Sequence, residues 1–289
     1  MLELLEEEAP DEHGQIVIPD GVVSIGEGEF ADRQLSSVVI PDTVTSIGKS
    51  AFLWNRLDFV TIPESVASIG AWSFAWNQLS AIVIPSGITA IPEGAFAGNR
   101  LSFVIIPDGV TRIGEWSFER NWLSSIVIPK GTEAVMEGAF ARNQLNSVVM
   151  PNSLKSIANS AFADNWLETV VIPEGVVSVG HWAFAWNQLT SIVIPSSVTV
   201  IEEGAFADNE LGSVFIPQSV VAVENMAFSG NPLASITIPA GLDFPPEAMG
   251  QFGASFLESY AENGRRAGSY KFDISAWSFA GDFGNARPL

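Results

Sequence analysis

The chain has 289 residues, 47% of them hydrophobic, with no cysteine and a formal net charge of −20. Only 13 Lys and Arg face 33 Asp and Glu. No basic stripe exists to neutralise phosphates, which excludes nucleic acid as a partner and adsorption to anionic lipid. Without thiols there is no disulfide framework or thiolate chemistry. No apolar run nears the roughly 20 residues of a membrane helix, so no membrane insertion is expected.

Residues 1–13 form an acidic N-terminal segment. Leu2, Leu5 and Ala9 suit one side of a short helix that covers the first coil, and disorder suits the same composition. Met1 to Glu8 lacks the basic and apolar regions of an export signal. From Gly14 a repeat begins. Leu recurs every 22 residues from Leu35 to Leu233, Phe from Phe30 to Phe228 and Pro from Pro19 to Pro239, with no insertion. A unit such as Leu79 to Arg100 cannot bury its own apolar residues, whereas a stack of copies can.

Within a unit the Leu, the fourth and the sixth residue alternate as an inward-facing strand. Pro85 and its equivalents end that strand. Ile88 and Ile91, or Val110 and Ile113, then turn inward at a spacing of three. Gly94-Ala95-Phe96 is expected to form a single helical turn that drops the ring into a stacked Phe spine. Asn55 through Asn231 form a column whose amides are expected to hydrogen-bond turn backbone in their own or the neighbouring coil.

The pattern fails after Gly241. Pro245-Pro246-Glu247 reads as a helix start, Met249, Phe252, Phe256 and Tyr260 suit one face of a single helix, and Asn263-Gly264 ends it. Ser269 to Phe279 reads as a strand pair. The expected architecture is a repeat solenoid: a leucine-rich-repeat right-handed coil with a parallel β-sheet on one face, short helical turns on the other and a C-terminal α/β cap. The solenoid spans residues 14–241 and the cap 242–289.

The motif L-x-x-V/I-x-I-P-x-x-V-x-x-I-x-x-x-A/S-F-x-x-N, as in Leu35 to Asn55, resembles the BspA-like leucine-rich-repeat family of bacterial surface proteins. The segment around Phe256, Tyr260, Asn263 to Tyr270 and Trp277-Ser278-Phe279 is similar to one that follows such repeats in spirochaete proteins. The resemblance implies extracellular or cell-surface display and adhesion to host, matrix or other cell-surface proteins. It implies no enzyme and carries over no catalytic residue.

Binding candidates fall into two sets. The outward sheet columns, free of charge, offer Phe59, Ala81, Val83, Phe103, Ile105, Val127, Val149, Val171, Val193 and Phe215. An apolar patch of that kind marks a partner surface, while β-propensity alone also favours β-branched residues there. The partner is a foreign protein or a second copy. The second set is Trp54, Trp72, Trp76, Trp182 and Trp186. Trp72 with Trp76, and Trp182 with Trp186, stand four apart, placing each pair on one face of the expected helical turn. Exposed indoles stack on sugar rings, which makes a carbohydrate-binding module the alternative; buried ones merely pad the coil surface. A self-associating surface rod is a third reading.

No metal site or cofactor is expected. His13 and His181 are the only histidines and have no nearby ligand cluster in sequence. Glu93, Glu115, Glu137 and Glu203 share a column that reads as a solvated acidic face. No G-x-S-x-G, phosphate-binding loop or Ca²⁺ loop is present.

Overall fold

The computed structural model describes residues 11, 13–273 and 276–281. The expected N-terminal helix, on Leu2 to Ala9, lies outside the described residues. The chain divides into two compact units at Leu145/Asn146. Each is a stack of coils.

In the first unit Gln15–Val17 pairs in parallel with Ser37–Val39, and Ala81–Val83 with Phe103–Ile105. Every partner is 22 residues away, as in Ile16↔Val38 and Ile82↔Val104. A one-residue slip would turn each coil's apolar set outward, so the uninterrupted repeat fixes the register. Each coil also carries a second, two-residue strand that the sequence reading did not separate. It contains the Ile three residues after the first inward Val or Ile. Ser24–Ile25, Ser46–Ile47 and Ser68–Ile69 form one parallel sheet, and Ala90–Ile91, Arg112–Ile113 and Ala134–Val135 form another.

The inward columns build the core. Leu35, Leu57, Leu79, Leu101, Leu123 and Leu145 are fully buried. Phe30, Phe52, Phe74, Phe96, Phe118 and Phe140 stack in file with centroids 5.2–5.7 Å apart. In the second unit Phe162, Phe184, Phe206 and Phe228 do the same at 5.5–5.8 Å. There Ser156–Ile157 pairs with Ser178–Val179, Val200–Ile201 with Ala222–Val223, and Ser213–Phe215 with Ser235–Ile238.

The Asn column forms the expected ladder. Asn99 Nδ2 donates to Phe74 O at 2.9 Å in the preceding coil and to Phe96 O at 3.0 Å in its own. Its Oδ1 accepts from Leu79 N–H at 3.0 Å. Asn77, Asn121, Asn187, Asn209 and Asn231 repeat this arrangement. Turn groups that no sheet can reach are thereby satisfied.

The Gly-Ala-Phe segments are reverse turns rather than helical turns. In the coil of Trp72, Ala75 N–H bonds back to Trp72 O, while Trp72, Phe74 and Trp76 N–H donate to Glu93, Ala95 and Ala97 O of the next coil. Alternate amides thus leave the coil to hold its neighbour, which a helix would have prevented. The geometry needs a left-handed residue on each side of Ala-Phe. Trp72 and Trp76 have φ of 59° and 55°, and Gly94 and Gly98 have 58° and 65°.

The C-terminal segment also differs in detail. The single expected helix is two: a 3-10 stretch, Pro246–Phe252, and helix α1, Gly253–Glu262. Met249 and Gly250, the latter at φ 56° and ψ −127°, leave helical geometry within the 3-10 stretch and break the run. The expected strand pair is an antiparallel hairpin, Gly268–Asp273 with Ala276–Gly281. Its first strand adds antiparallel to Ser235–Ile238, covering the edge of the last coil's sheet. Phe256, Tyr260 and Tyr270 are buried between α1 and the hairpin, and Tyr260 Oη accepts from Leu242 N–H at 3.0 Å.

Candidate interaction surfaces

Strand alternation decides which side chains reach solvent. In the first unit Phe59, Val83, Phe103, Ile105 and Val127 point outward and are exposed, and Ala81 is half-buried among them. In the second unit Val149, Val171 (78% exposed), Val193 and Phe215 are likewise outward. Each unit therefore presents a charge-free apolar strip on a strongly acidic molecule.

The strip of the first unit has a distinct low point. Phe59, Thr61, Ala81 and Val83 line a depression of about 600 Å³ whose rim includes Asp42, Glu64 and Ser65. Phe59–Thr61 forms no regular strand, unlike the paired segment Ala81–Val83 beside it. Glu64 is fixed at the rim: its Oε2 accepts from Ser86 N–H at 3.0 Å and Ser86 Oγ at 2.8 Å. The backbone bond and then the hydroxyl bond hold its carboxyl below the usual glutamate range. The depression thus has an apolar floor and an anionic rim.

The tryptophans occupy the turns on the other side of the coil. Trp72, Trp116 and Trp182 are half-buried, each lying against a glycine of the next coil. A Cβ at Gly94 would stand 2.2 Å from Trp72, one at Gly138 2.4 Å from Trp116, and one at Gly204 2.3 Å from Trp182. Left-handed backbone costs an L residue roughly 1–2 kcal/mol, so a bulky Trp there needs compensation. The glycine beyond supplies it by letting the indole lie flat. Trp72 also stacks with Trp116 across Gly94, centroids 6.3 Å apart. Trp182 and Trp186 stack at 5.3 Å with planes 8° apart, so the pair does come together, although on a reverse turn. Trp54 and Trp76 are exposed and flank a shallow hollow of about 380 Å³ over Asn55.

The repeat of this geometry matches the family described as BspA type leucine rich repeat region, in six copies over residues 12–122 and 118–234. The chain belongs to that family. A leucine-rich repeat protein of Bacteroides ovatus shares 21% identity, over 79% of this chain and 73% of that one, with a TM-score of 0.59. A leucine rich cell surface protein of Faecalibacterium prausnitzii shares 26% identity over 81% and 84%, with a TM-score of 0.48. No curated protein sequence matches the chain. As a BspA-type repeat protein it carries the strand-and-turn coil without an insertion that would build a deep pocket. No helix among the described residues is long and apolar enough to cross a membrane.

Sequence reasoning missed two features of the surface. The bedding of Trp72, Trp116 and Trp182 on glycine was present as a column in which Trp and Gly alternate: Trp72, Gly94, Trp116, Gly138. The acids that cluster with His181 come mainly from outside the Glu93 column, of which Glu203 lies beside its ring. Glu202 and Glu224 meet His181, which is half-buried rather than free in solvent.

Proposed function

We propose that this chain is a non-enzymatic protein-binding or adhesion module displayed on a bacterial surface, and that it binds through its sheet face. One observation carries the reading. The outward strand positions are apolar, exposed and uncharged, on a protein whose other surfaces supply a net charge of −20. An exposed apolar strip rimmed by polar groups favours association. The depression at Phe59, Ala81 and Val83, with Asp42 and Glu64 at its rim, suits an apolar side chain flanked by Lys or Arg. Complementary rim charges steer encounter, so such binding weakens as salt rises. Membership of the BspA-type repeat family supports the reading as a surface-displayed protein.

A second reading, glycan binding, rests on Trp54 and Trp76 around their hollow, where exposed indole faces can stack on sugar rings. Light scattering of the purified chain and of a Val83→Lys/Val127→Lys variant comes first. Both side chains are more than half exposed, so the variant folds. A dimer split by the variant assigns the face to self-association and removes the adhesion reading. With a monomer, the chain, this variant and a Trp54→Ala/Trp76→Ala variant are screened against immobilised matrix proteins and glycans. Loss in the lysine variant alone supports the sheet face. Loss in the Trp variant alone transfers the site to the glycan reading.

A further inference from the structure

We propose that His181, Glu202 and Glu224 form a binding site for a borderline divalent transition ion such as Zn²⁺. The three residues belong to three successive coils of the second unit. One ligand atom from each lies within 4.8 Å of the others. His181 Nε2 is 3.7 Å from Glu202 Oε2. Ligands around one tetrahedral ion, at bonds of about 2.1 Å, stand about 3.4 Å apart. Rotamer adjustment of about an ångström therefore closes the set.

The column that holds the two glutamates carries no other charged residue: it reads Gly26, Gly48, Gly70, Pro92, Gly114 and Met136 in the first unit, and Ala158 and Gly180 ahead of them in the second. Space is short where glycine stands, since a Cβ at Gly48 or Gly70 would come within 2.6 and 2.3 Å of the preceding coil's backbone. Glutamates at 202 and 224 place charge in this column twice, in adjacent coils. They also put like charges directly opposite each other in a parallel stack, which is destabilising without a cation between them. Glu224 Oε2 is further fixed by Glu203 N–H at 3.2 Å.

There is room for the remaining ligands. A hollow of about 430 Å³ opens beside Glu224, lined also by Glu203, Asn225 and Asp243. Glu203 Oε2 stands 3.9 Å from His181 Nδ1, where it can orient the ring once Nε2 binds the ion. An imidazole in a three-protein-ligand set selects Zn²⁺ over Ca²⁺ or Mg²⁺, which take oxygen. No chemistry is required of the ion: it would bridge three coils and present an open position to a partner.

Isothermal titration of the metal-free full chain with ZnCl₂ at neutral pH tests this, with CaCl₂ in parallel. The expected result is one equivalent of Zn²⁺ and a melting temperature raised by roughly 5 °C. Affinity should fall at least tenfold in both His181→Ala and Glu202→Gln, and stay unchanged in His13→Ala. These side chains are partly exposed, so the variants fold, and circular dichroism checks it. No Zn²⁺ binding, equal binding of Ca²⁺, or binding that survives both substitutions would overturn the proposal.

Discussion

Replacing Asn99 by Ala tests the amide ladder that holds the coils together. The side chain is 5% exposed and makes three short bonds: to Phe74 O, to Phe96 O and from Leu79 N–H, at 2.9, 3.0 and 3.0 Å. Alanine leaves Leu79 N–H without its acceptor and takes one of two amide donors from each carbonyl, since Phe74 O still accepts from Asn77 Nδ2 at 3.2 Å and Phe96 O from Asn121 Nδ2 at 3.0 Å. At about 1 kcal/mol for each of the three bonds lost, with a further cost for the one dry N–H, the loss is about 3 kcal/mol. Coils contact only their neighbours, so the damage falls on the interfaces of one coil and lowers cooperativity as well. Urea unfolding, followed by circular dichroism and Trp fluorescence, reads both. Asn99→Asp keeps the acceptor for Leu79 but turns a carboxylate oxygen toward two carbonyls, so it should cost at least as much at neutral pH. Gln78→Ala, one coil earlier, should change stability by less than about 0.5 kcal/mol. A loss under about 1 kcal/mol for Asn99→Ala would refute the view that the amide satisfies buried backbone.

Other substitutions probe the remaining contacts. Ser117 Oγ is buried with no hydrogen-bond partner among the described groups, in a column that elsewhere holds Ala95 and Ala139; Ser117→Ala should stabilise by about 1 kcal/mol in the same unfolding assay. Gly94→Ala forces a Cβ into the Trp72 ring at a left-handed position, so it should destabilise by about 2 kcal/mol or more and red-shift Trp emission as the indole is expelled. Ser86→Ala should move the Glu64 titration, followed by NMR, up toward the ordinary glutamate value. Because the folded value is the lower one, the contribution of Glu64 to stability is present above the ordinary carboxyl range and lost as pH falls through the folded value; in Ser86→Ala, which removes the hydroxyl bond and keeps the backbone N–H bond, that acid dependence should weaken without vanishing.

Period and residue type, read along the chain, determined most of this protein. Leu, Phe and Asn every 22 residues define the coil, its core and its polar ladder, because one unit's apolar face can be buried only by another copy of itself. Strand alternation likewise announced that Val83 and Val127 face outward. Tertiary structure decided what depends on the neighbouring coil. The Ala-Phe segments are reverse turns because their alternate amides bond to the next coil, and that demand is invisible within one unit. Whether Trp72 lies flat depends on the glycine at position 94 having no Cβ. Gly250 splits what apolar spacing presented as one helix, since spacing records a face and not a backbone angle. His181, Glu202 and Glu224 are scattered in sequence and converge only because stacking brings residues about one repeat apart to neighbouring positions.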